Sequence, residues 1–286
     1  MPELPEVQTV VNHLARNIRG KVFGNVVINV PKMVNKDFAE NLKNKKVQNV
    51  SRRGKMIIID LAGGSALLVH LKMTGQLVFI DNKGKASGGG HPINSINFDV
   101  HSPNRFTRII LNFKDKTHLL FHDIRKFGWM RVLPDEAVEK IVAKYGIEPL
   151  SKEFTLKFFT ALLGRRPNLK IKQFLLIQEL IAGIGNIYAD ESLFAAKIKP
   201  LRQAKTLKPA EIKKLHQAVV SKLKEAIKYG GTSVNTFVQA TGERGRFVER
   251  LKVYKRGGQS CLSCHAALLK TKIGGRGTVY CARCQK

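Results

Sequence analysis

Acidic residues are scarce in this chain. Only 21 Asp and Glu stand against 50 Lys and Arg, a formal charge of +29 across 286 residues. An excess of that size on a folded protein points to a polyanionic partner, most simply nucleic acid. An anionic membrane surface is the competing reading, but no basic amphipathic helix stands apart from the core pattern. Cysteine is nearly absent too: there are four, all within the last 26 residues. That distribution does not resemble a disulfide framework. No apolar run approaches the ~18 residues a membrane span requires, and the first twenty residues lack the apolar block of a signal peptide. The expectation is a soluble, cytoplasmic protein with no membrane partner. What the chain does have is 43% hydrophobic residues, ample for packed cores, at a length that suits two domains.

Val7, Val10, Val11, Leu14 and Ile18 recur mostly every three or four residues, which predicts a helix over about Pro5–Ile18 that Gly20 ends. Short β-branched runs follow at Lys21–Val30, Val47–Ser51, Met56–Leu61, Ala66–Leu71 and Gln76–Ile80. After a long Gly-rich loop, Asp81–Pro103, come Arg105–Phe113, Thr117–His122 and Phe127–Leu133. Such runs predict an antiparallel sandwich. From Pro134 the period becomes helical: Asp135–Tyr145, Phe154–Leu163, Ile171–Ile181, Ile187–Ala196 and Pro209–Tyr229, with Gly230-Gly231 as the last stop. The expected fold class is therefore α+β and multidomain. Residues 1–134 would form the sandwich with its flanking helix, 135–150 a linker, 151–250 a helical domain and 251–286 a metal-stabilised tail.

Two features carry chemistry. The chain opens Met1-Pro2-Glu3-Leu4-Pro5-Glu6, so removal of Met1 would leave a secondary amine beside two carboxylates. A first-turn proline also suits plain helix entry, and acidic groups suit a helix N-terminus. At the other end, Cys261-x2-Cys264 and Cys281-x2-Cys284 have the two-knuckle spacing of a structural zinc site. Four thiolates close the tetrahedron, which predicts one structural Zn²⁺ with no open position for catalytic water. His265 is not taken as a ligand.

Six separated segments match one family in order: the opening hexapeptide with Val7, Arg52-Arg53-Gly54-Lys55, His70 to Gly75, Asp123 to Gly128, Gly183 to Glu191, and Gly275-Arg276-Gly277-Thr278. Together they resemble the bacterial formamidopyrimidine-DNA glycosylases, end to end. The resemblance implies an N-terminal β-sandwich flanked by helices, a helix-two-turn-helix domain and a zinc finger. It also implies excision of oxidised purines from double-stranded DNA by a monomer, followed by cleavage at the abasic site. By that resemblance Pro2 is the nucleophile, Glu3 the proton donor and acceptor, and Glu6 an orienting partner. Lys55 and Arg276 serve the phosphates and the eliminations. Met73, Arg125 and Phe127 fill the void left by the everted base, and Asn186, read as the cap of the next helix, binds backbone phosphate. The stretch Gln239–Arg246 matches the lid over that base.

Three departures stand out. Phe106-Thr107-Arg108 occupies the place of a usual His-x-His, leaving Arg108 as the substitute phosphate ligand. Ile177 replaces a common aspartate, which predicts a local packing or hydrogen-bond change without loss of the reaction. The Asp81–Pro103 loop is longer than in the shortest members. Two other readings fit the same scaffold: an oxidised-pyrimidine glycosylase, against which Leu4, Arg125 and Phe127 speak, and a non-catalytic DNA-binding protein. The proposed amine chemistry further requires a mature chain beginning at Pro2.

Overall fold

A computed structural model describes residues 1–90, 103–232 and 245–286. The chain divides into two compact units. Met1–Lys144 and Tyr229–Val248 form the first, and Tyr145–Lys228 and Glu249–Lys286 form the second.

The first unit begins with α1 (Leu4–Ile18), whose apolar stripe is buried from Leu4 to Ile18. Then come β1 (Phe23–Ile28), α2 (Phe38–Leu42), β2 (Val47–Arg53), β3 (Met56–Leu61), β4 (Ser65–His70), β5 (Gly75–Ile80) and β6 (Ala86–Gly90). They are followed by β7 (Thr107–Phe113), β8 (His118–Asp123), β9 (Trp129–Pro134) and α3 (Asp135–Val142). The strands form two antiparallel sheets, β1-β7-β8-β5-β6 and β2-β3-β4-β9. Inward residues of both sheets, among them Ile57, Ile59, Leu67, Val69, Leu77, Ile109, Leu111 and Phe121, make one core with the buried face of α1. Successive side chains of a strand point to opposite faces, which is what directs alternate residues of these strands inward.

β6 was expected as loop, because Ser87-Gly88-Gly89-Gly90 lacks every residue that favours strands. The glycines are there for space. A Cβ on Gly88 would lie 2.2 Å from the carbonyl oxygen of Leu77, so only glycine lets this strand pair with β5. Most of the remainder of that expected loop, 91–102, lies outside the described residues.

The second unit contains α4 (Leu156–Gly164), α5 (Ile171–Leu176), α6 (Asn186–Ala195), α7 (Pro209–Lys228) and the hairpin β10 (Leu269–Ile273) with β11 (Arg276–Tyr280). The expected helix Ile171–Ile181 is shorter than the sequence suggested. Ile177 takes extended angles and ends α5. The amide of Gln178 then holds the next turn, donating to the carbonyls of Leu176 and Ile184 (both 2.9 Å) and accepting the Gly183 N–H at 2.9 Å. Among the described residues no helix is long and apolar enough to cross a membrane.

Candidate active site and nucleic-acid interface

The start of α1 is closed and polar. Pro2 is buried, and Glu3 and Glu6 are 4% and 2% exposed. Glu3 is the N-cap residue of α1, in extended conformation. One oxygen of Glu6 accepts the Glu3 N–H at 2.9 Å, which closes a capping box. The other accepts the N–H of Thr232 at 2.8 Å. Thr232 bridges to Arg246, and Arg246 donates its N–H to the Tyr229 carbonyl at 3.1 Å. Glu6 therefore ties the first residues of the chain to the stem of segment 233–244. The lid expected at Gln239–Arg246 lies outside the described residues except for its last two.

Lys55 sits in the turn between β2 and β3, where Gly54 has φ 55°. The guanidinium of Arg52 straps that turn to the helix, donating to Gln8 of α1 at 2.8 Å and to the Gly54 carbonyl at 3.3 Å. Lys55 is 6% exposed. The strand register pairs Met56 with His70 and His70 with Trp129, so Lys55, the β4–β5 turn and the β8–β9 turn share one end of the sandwich. Burial, then the charges of Lys72 and Lys55, lower the pKa of His70 to about 4, so its ring is neutral near pH 7.

Those two turns display the exposed apolar groups of this end. Met73 is 39% exposed, Ile124 41% and Phe127 53%, with the Arg125 guanidinium 4.7 Å above the Phe127 ring. Solvent-facing apolar side chains capped by a cation suit insertion into a base stack. Arg108 faces the other way. It is 8% exposed and donates to the main-chain carbonyls of Asp123 (2.7 Å) and Arg105 (3.1 Å).

In the second unit, Asn186 is not the cap residue expected of it. Gly185 holds the N-cap position, and Asn186 is the first residue of α6. Its amide instead donates to the Gly277 carbonyl at 2.9 Å, next to Arg276 in the hairpin. The ammonium of Lys172, with its side chain fully buried, reaches the same place. It donates to the Gly277 carbonyl at 3.0 Å, to the Thr278 hydroxyl at 2.7 Å, and pairs with Asp190 at 2.6 Å. Asp190 accepts the Val279 N–H at 3.2 Å, and neighbouring Glu191 accepts the N–H groups of Lys252, Val253 and Tyr254. Nothing in sequence spacing announced Lys172, Asp190 or Glu191 as anchors of the hairpin. The hairpin turn is Gly274-Gly275, with φ 54° and 76°, which fits a two-residue turn with both central residues at positive φ. Arg276 follows it, exposed. A cleft of ≈ 230 Å³ between α6 and the hairpin is lined by Asn186, Lys255, Lys270 and Gly277, among others.

The four cysteine sulfurs lie within 4.8 Å of one another. Cys261 and Cys284 are 3.9 Å apart and Cys264 and Cys281 3.4 Å, near the ~3.8 Å edge of a tetrahedron with Zn–S of ~2.3 Å. The N–H groups of Ser263 and Cys284 point at Cys261 and Cys281 sulfur, each at 3.4 Å. That donor set fits one Zn²⁺, with all four positions taken by thiolate.

Comparison with known proteins assigns each region. Residues 1–130 match the formamidopyrimidine-DNA glycosylase N-terminal domain and 145–238 the H2TH domain of the same enzymes. Residues 258–286 match the zinc finger found in FPG and IleRS. These define a zinc-finger, helix-two-turn-helix DNA-repair architecture. The formamidopyrimidine-DNA glycosylase of Pelotomaculum thermopropionicum is 40% identical over 292 residues, covering 100% of this chain and 99% of its own. That of Halalkalibacterium halodurans is 39% identical with 100% of both chains covered. The crystal structure of a Lactococcus lactis FPG mutant with Fapy-dG-containing DNA superposes with a TM-score of 0.86 at 33% identity and full coverage of both chains. A complex of the Lactococcus lactis Fpg with abasic-site DNA gives 0.85 at 33% identity, with 99% of both chains covered. The chain belongs to the formamidopyrimidine-DNA glycosylase family, whose members are bifunctional glycosylases and abasic-site lyases.

Proposed function

We propose that this chain excises oxidised purines, 8-oxoguanine and formamidopyrimidines, from duplex DNA and then cuts the abasic strand by β,δ-elimination. The observation that carries the reading is the end of the sandwich. There, Pro2, Glu3 and Glu6 are buried at the start of α1, Lys55 is strapped to that helix through Arg52, and Met73, Arg125 and Phe127 face outward.

In this reading Met1 is removed, which frees the secondary amine of Pro2. An α-amine with a pKa of ~7.7–8.0 keeps a neutral fraction at physiological pH. The amine attacks C1′ of the damaged nucleotide and the base leaves with the bonding electrons. Glu3 delivers a proton to the ring oxygen as the sugar opens to an iminium. Loss of a proton from C2′ expels the 3′ phosphate, and a second elimination expels the 5′ phosphate. Lys55 and Arg276 hold those phosphates, Arg276 through the two-pronged contact a guanidinium makes. Glu6, bonded to the Glu3 N–H and to the Thr232 N–H, orients the amine.

A base inside a duplex is reached only by eversion. Met73, Phe127 and Arg125 fill the vacancy. Asn186, at the start of α6, borders the cleft beside the hairpin, where the positive end of the helix dipole favours an anion such as a backbone phosphate. We assign Arg108 to holding the carbonyl of Asp123 instead of a phosphate. Zinc, when bound, supplies folding energy to the hairpin and no chemistry.

The test is borohydride trapping on a duplex with 8-oxoguanine opposite cytosine. A covalent protein–DNA adduct is expected, lost together with excision, on the order of 10³-fold or more, when an N-terminal extension makes the Pro2 nitrogen an amide and so removes the nucleophile. Intact mass of active protein is expected to begin at Pro2. Retained Met1 in active protein overturns the mechanism, and a marked preference for thymine glycol overturns the lesion class.

A further inference from the structure

The two turns that carry Met73 and the Arg125–Phe127 pair meet at one buried carboxylate. Asp123 is fully buried at the end of β8. One of its oxygens accepts the Thr74 hydroxyl and the Arg125 N–H at 3.0 Å. The other accepts the N–H of Phe127 at 3.0 Å and of Gly128 at 2.7 Å. Thr74 is the residue after Met73, and its hydroxyl also accepts the Arg125 N–H at 3.1 Å. Each turn contains a lysine at positive φ, Lys72 at 48° and Lys126 at 57°, a conformation that persists only when its surroundings over-determine it. The approach is tight enough to fix the neighbours' identity. A Cβ on Gly128 would stand 2.6 Å from the Phe121 ring and 3.0 Å from the Asp123 carboxylate, and one on Gly75 2.4 Å from the Leu71 carbonyl.

We propose that Asp123 is a positioning residue for base eversion, clamping the Met73 turn and the Arg125–Phe127 turn into a single wedge through Thr74. Both carboxylate oxygens receive donors only. An asparagine amide offers one acceptor and one donor, so neither orientation of the amide in Asp123→Asn can satisfy the site. Arg108 completes the clamp from behind by donating to the Asp123 carbonyl. The wedge does its work only where a base must leave a stack. Removing the clamp therefore impairs lesion excision in duplex and spares amine chemistry on a sugar that is already bare.

The inference rests on the glycosylase reading above, and the experiment separates the two. Excision of 8-oxoguanine opposite cytosine and cleavage of a single-stranded abasic oligonucleotide are measured for the parent, Asp123→Asn and Thr74→Val, with thermal unfolding of each. Misplacement of positioning groups by about an ångström is worth on the order of 10²-fold in rate. The ratio of duplex excision to single-strand cleavage is accordingly expected to fall ~10- to 100-fold in Asp123→Asn. A smaller fall is expected in Thr74→Val, which removes only the link between the turns. The double variant is expected to lose less than the product of the two, since the residues share one network. Base eversion reported by 2-aminopurine fluorescence beside the lesion is expected to weaken in parallel. An unchanged ratio in a folded Asp123→Asn overturns the inference, as does equal loss of both activities. If Asp123→Asn does not fold, an unchanged ratio in Thr74→Val overturns it instead. Failure of the parent itself on the single-stranded abasic substrate overturns the glycosylase reading.

Discussion

Arg125 stands on a turn cut into the end of two sheets of five and four strands, whereas Arg276 stands on a hairpin beside the small cluster of Val253, Cys261, Leu268 and Cys281. The sandwich turn borrows rigidity from a continuous apolar core, and Asp123, with Thr74, accepts its N–H groups. The hairpin has no such core. It is held by thiolates at its base and, near its tip, by the buried Lys172–Asp190 pair and the Asn186 amide. One arginine is fixed by packing with a polar clasp, the other by charge and metal with little packing. The same outward guanidinium thus depends on different physics in the two units, and the two should fail under different insults.

Metal removal should divide them most sharply. Structural zinc is worth about 10–16 kcal/mol in small finger peptides, so chelation is expected to unfold the hairpin and weaken DNA binding. The only tryptophan, Trp129, lies in β9 of the sandwich, and its emission is expected to stay unchanged. A shift in that emission on verified zinc loss would break the contrast. Next in size is Lys172→Met. Leaving a buried carboxylate without its partner costs about 3–5 kcal/mol, to be read from urea unfolding. Adding Asp190→Leu is expected to restore most of the loss, because the desolvation penalty goes with the charge.

Acid should strike the sandwich. His70 and His122 are both lowered to about 4, chiefly by burial, with Lys72 and Lys55 adding for the first and Arg108 for the second. The unfolded chain takes up these protons near pH 6.5, and the native state refuses them until about pH 4. Stability from the neutral rings is therefore complete above pH 6.5 and is lost as pH falls through that window. By pH 5 the loss is about 1–2 kcal/mol for each ring, and replacing His122 by glutamine should flatten the dependence. The smallest effect is Arg202→Ala. Arg202 meets Glu211 with two parallel bonds of 2.5 and 3.0 Å on a partly exposed face, and an exposed pair contributes no more than ~1 kcal/mol. A thermal midpoint lowered as far as by Lys172→Met would blur the distinction between buried and surface charge drawn here.

Much of this was legible in the sequence because it obeys periodicity or fixed spacing. The stripe of α1, the β-branched runs of β3 and β7, the 20 residues of α7 and the two cysteine knuckles belong to that class. What was hidden follows a different logic. β6 is a strand made of glycine, chosen for close approach and so indistinguishable from loop by composition. The end of α5 was masked by an apolar stretch that continues past Ile177, while the Gln178 side chain takes over the turn. Lys172 and Asp190 are 18 positions apart on different helices, and no local pattern distinguishes a buried lysine among 50 cations. Asp123 left a trace: an acidic residue opening a turn that closes on glycine is the expected beginning of a side-chain-capped loop. Arg108 was read as a phosphate ligand from its place in the His-x-His position, and neither position nor charge reveals which way a side chain turns.

Both ends of the chain are tied into these working parts. Glu6 joins the opening residues to Thr232, and at the other end Gln285, 1% exposed, donates its amide to the Ile198 carbonyl at 2.7 Å and accepts the Cys281 N–H. Affinity handles therefore have unequal consequences. Under the mechanism proposed above, a handle at the front makes the Pro2 nitrogen an amide and adds chain to a buried helix start, so a purified fusion of that kind would pass for a DNA-binding protein devoid of catalysis. A handle appended after the exposed Lys286 leaves the Gln285 clasp and the amine intact.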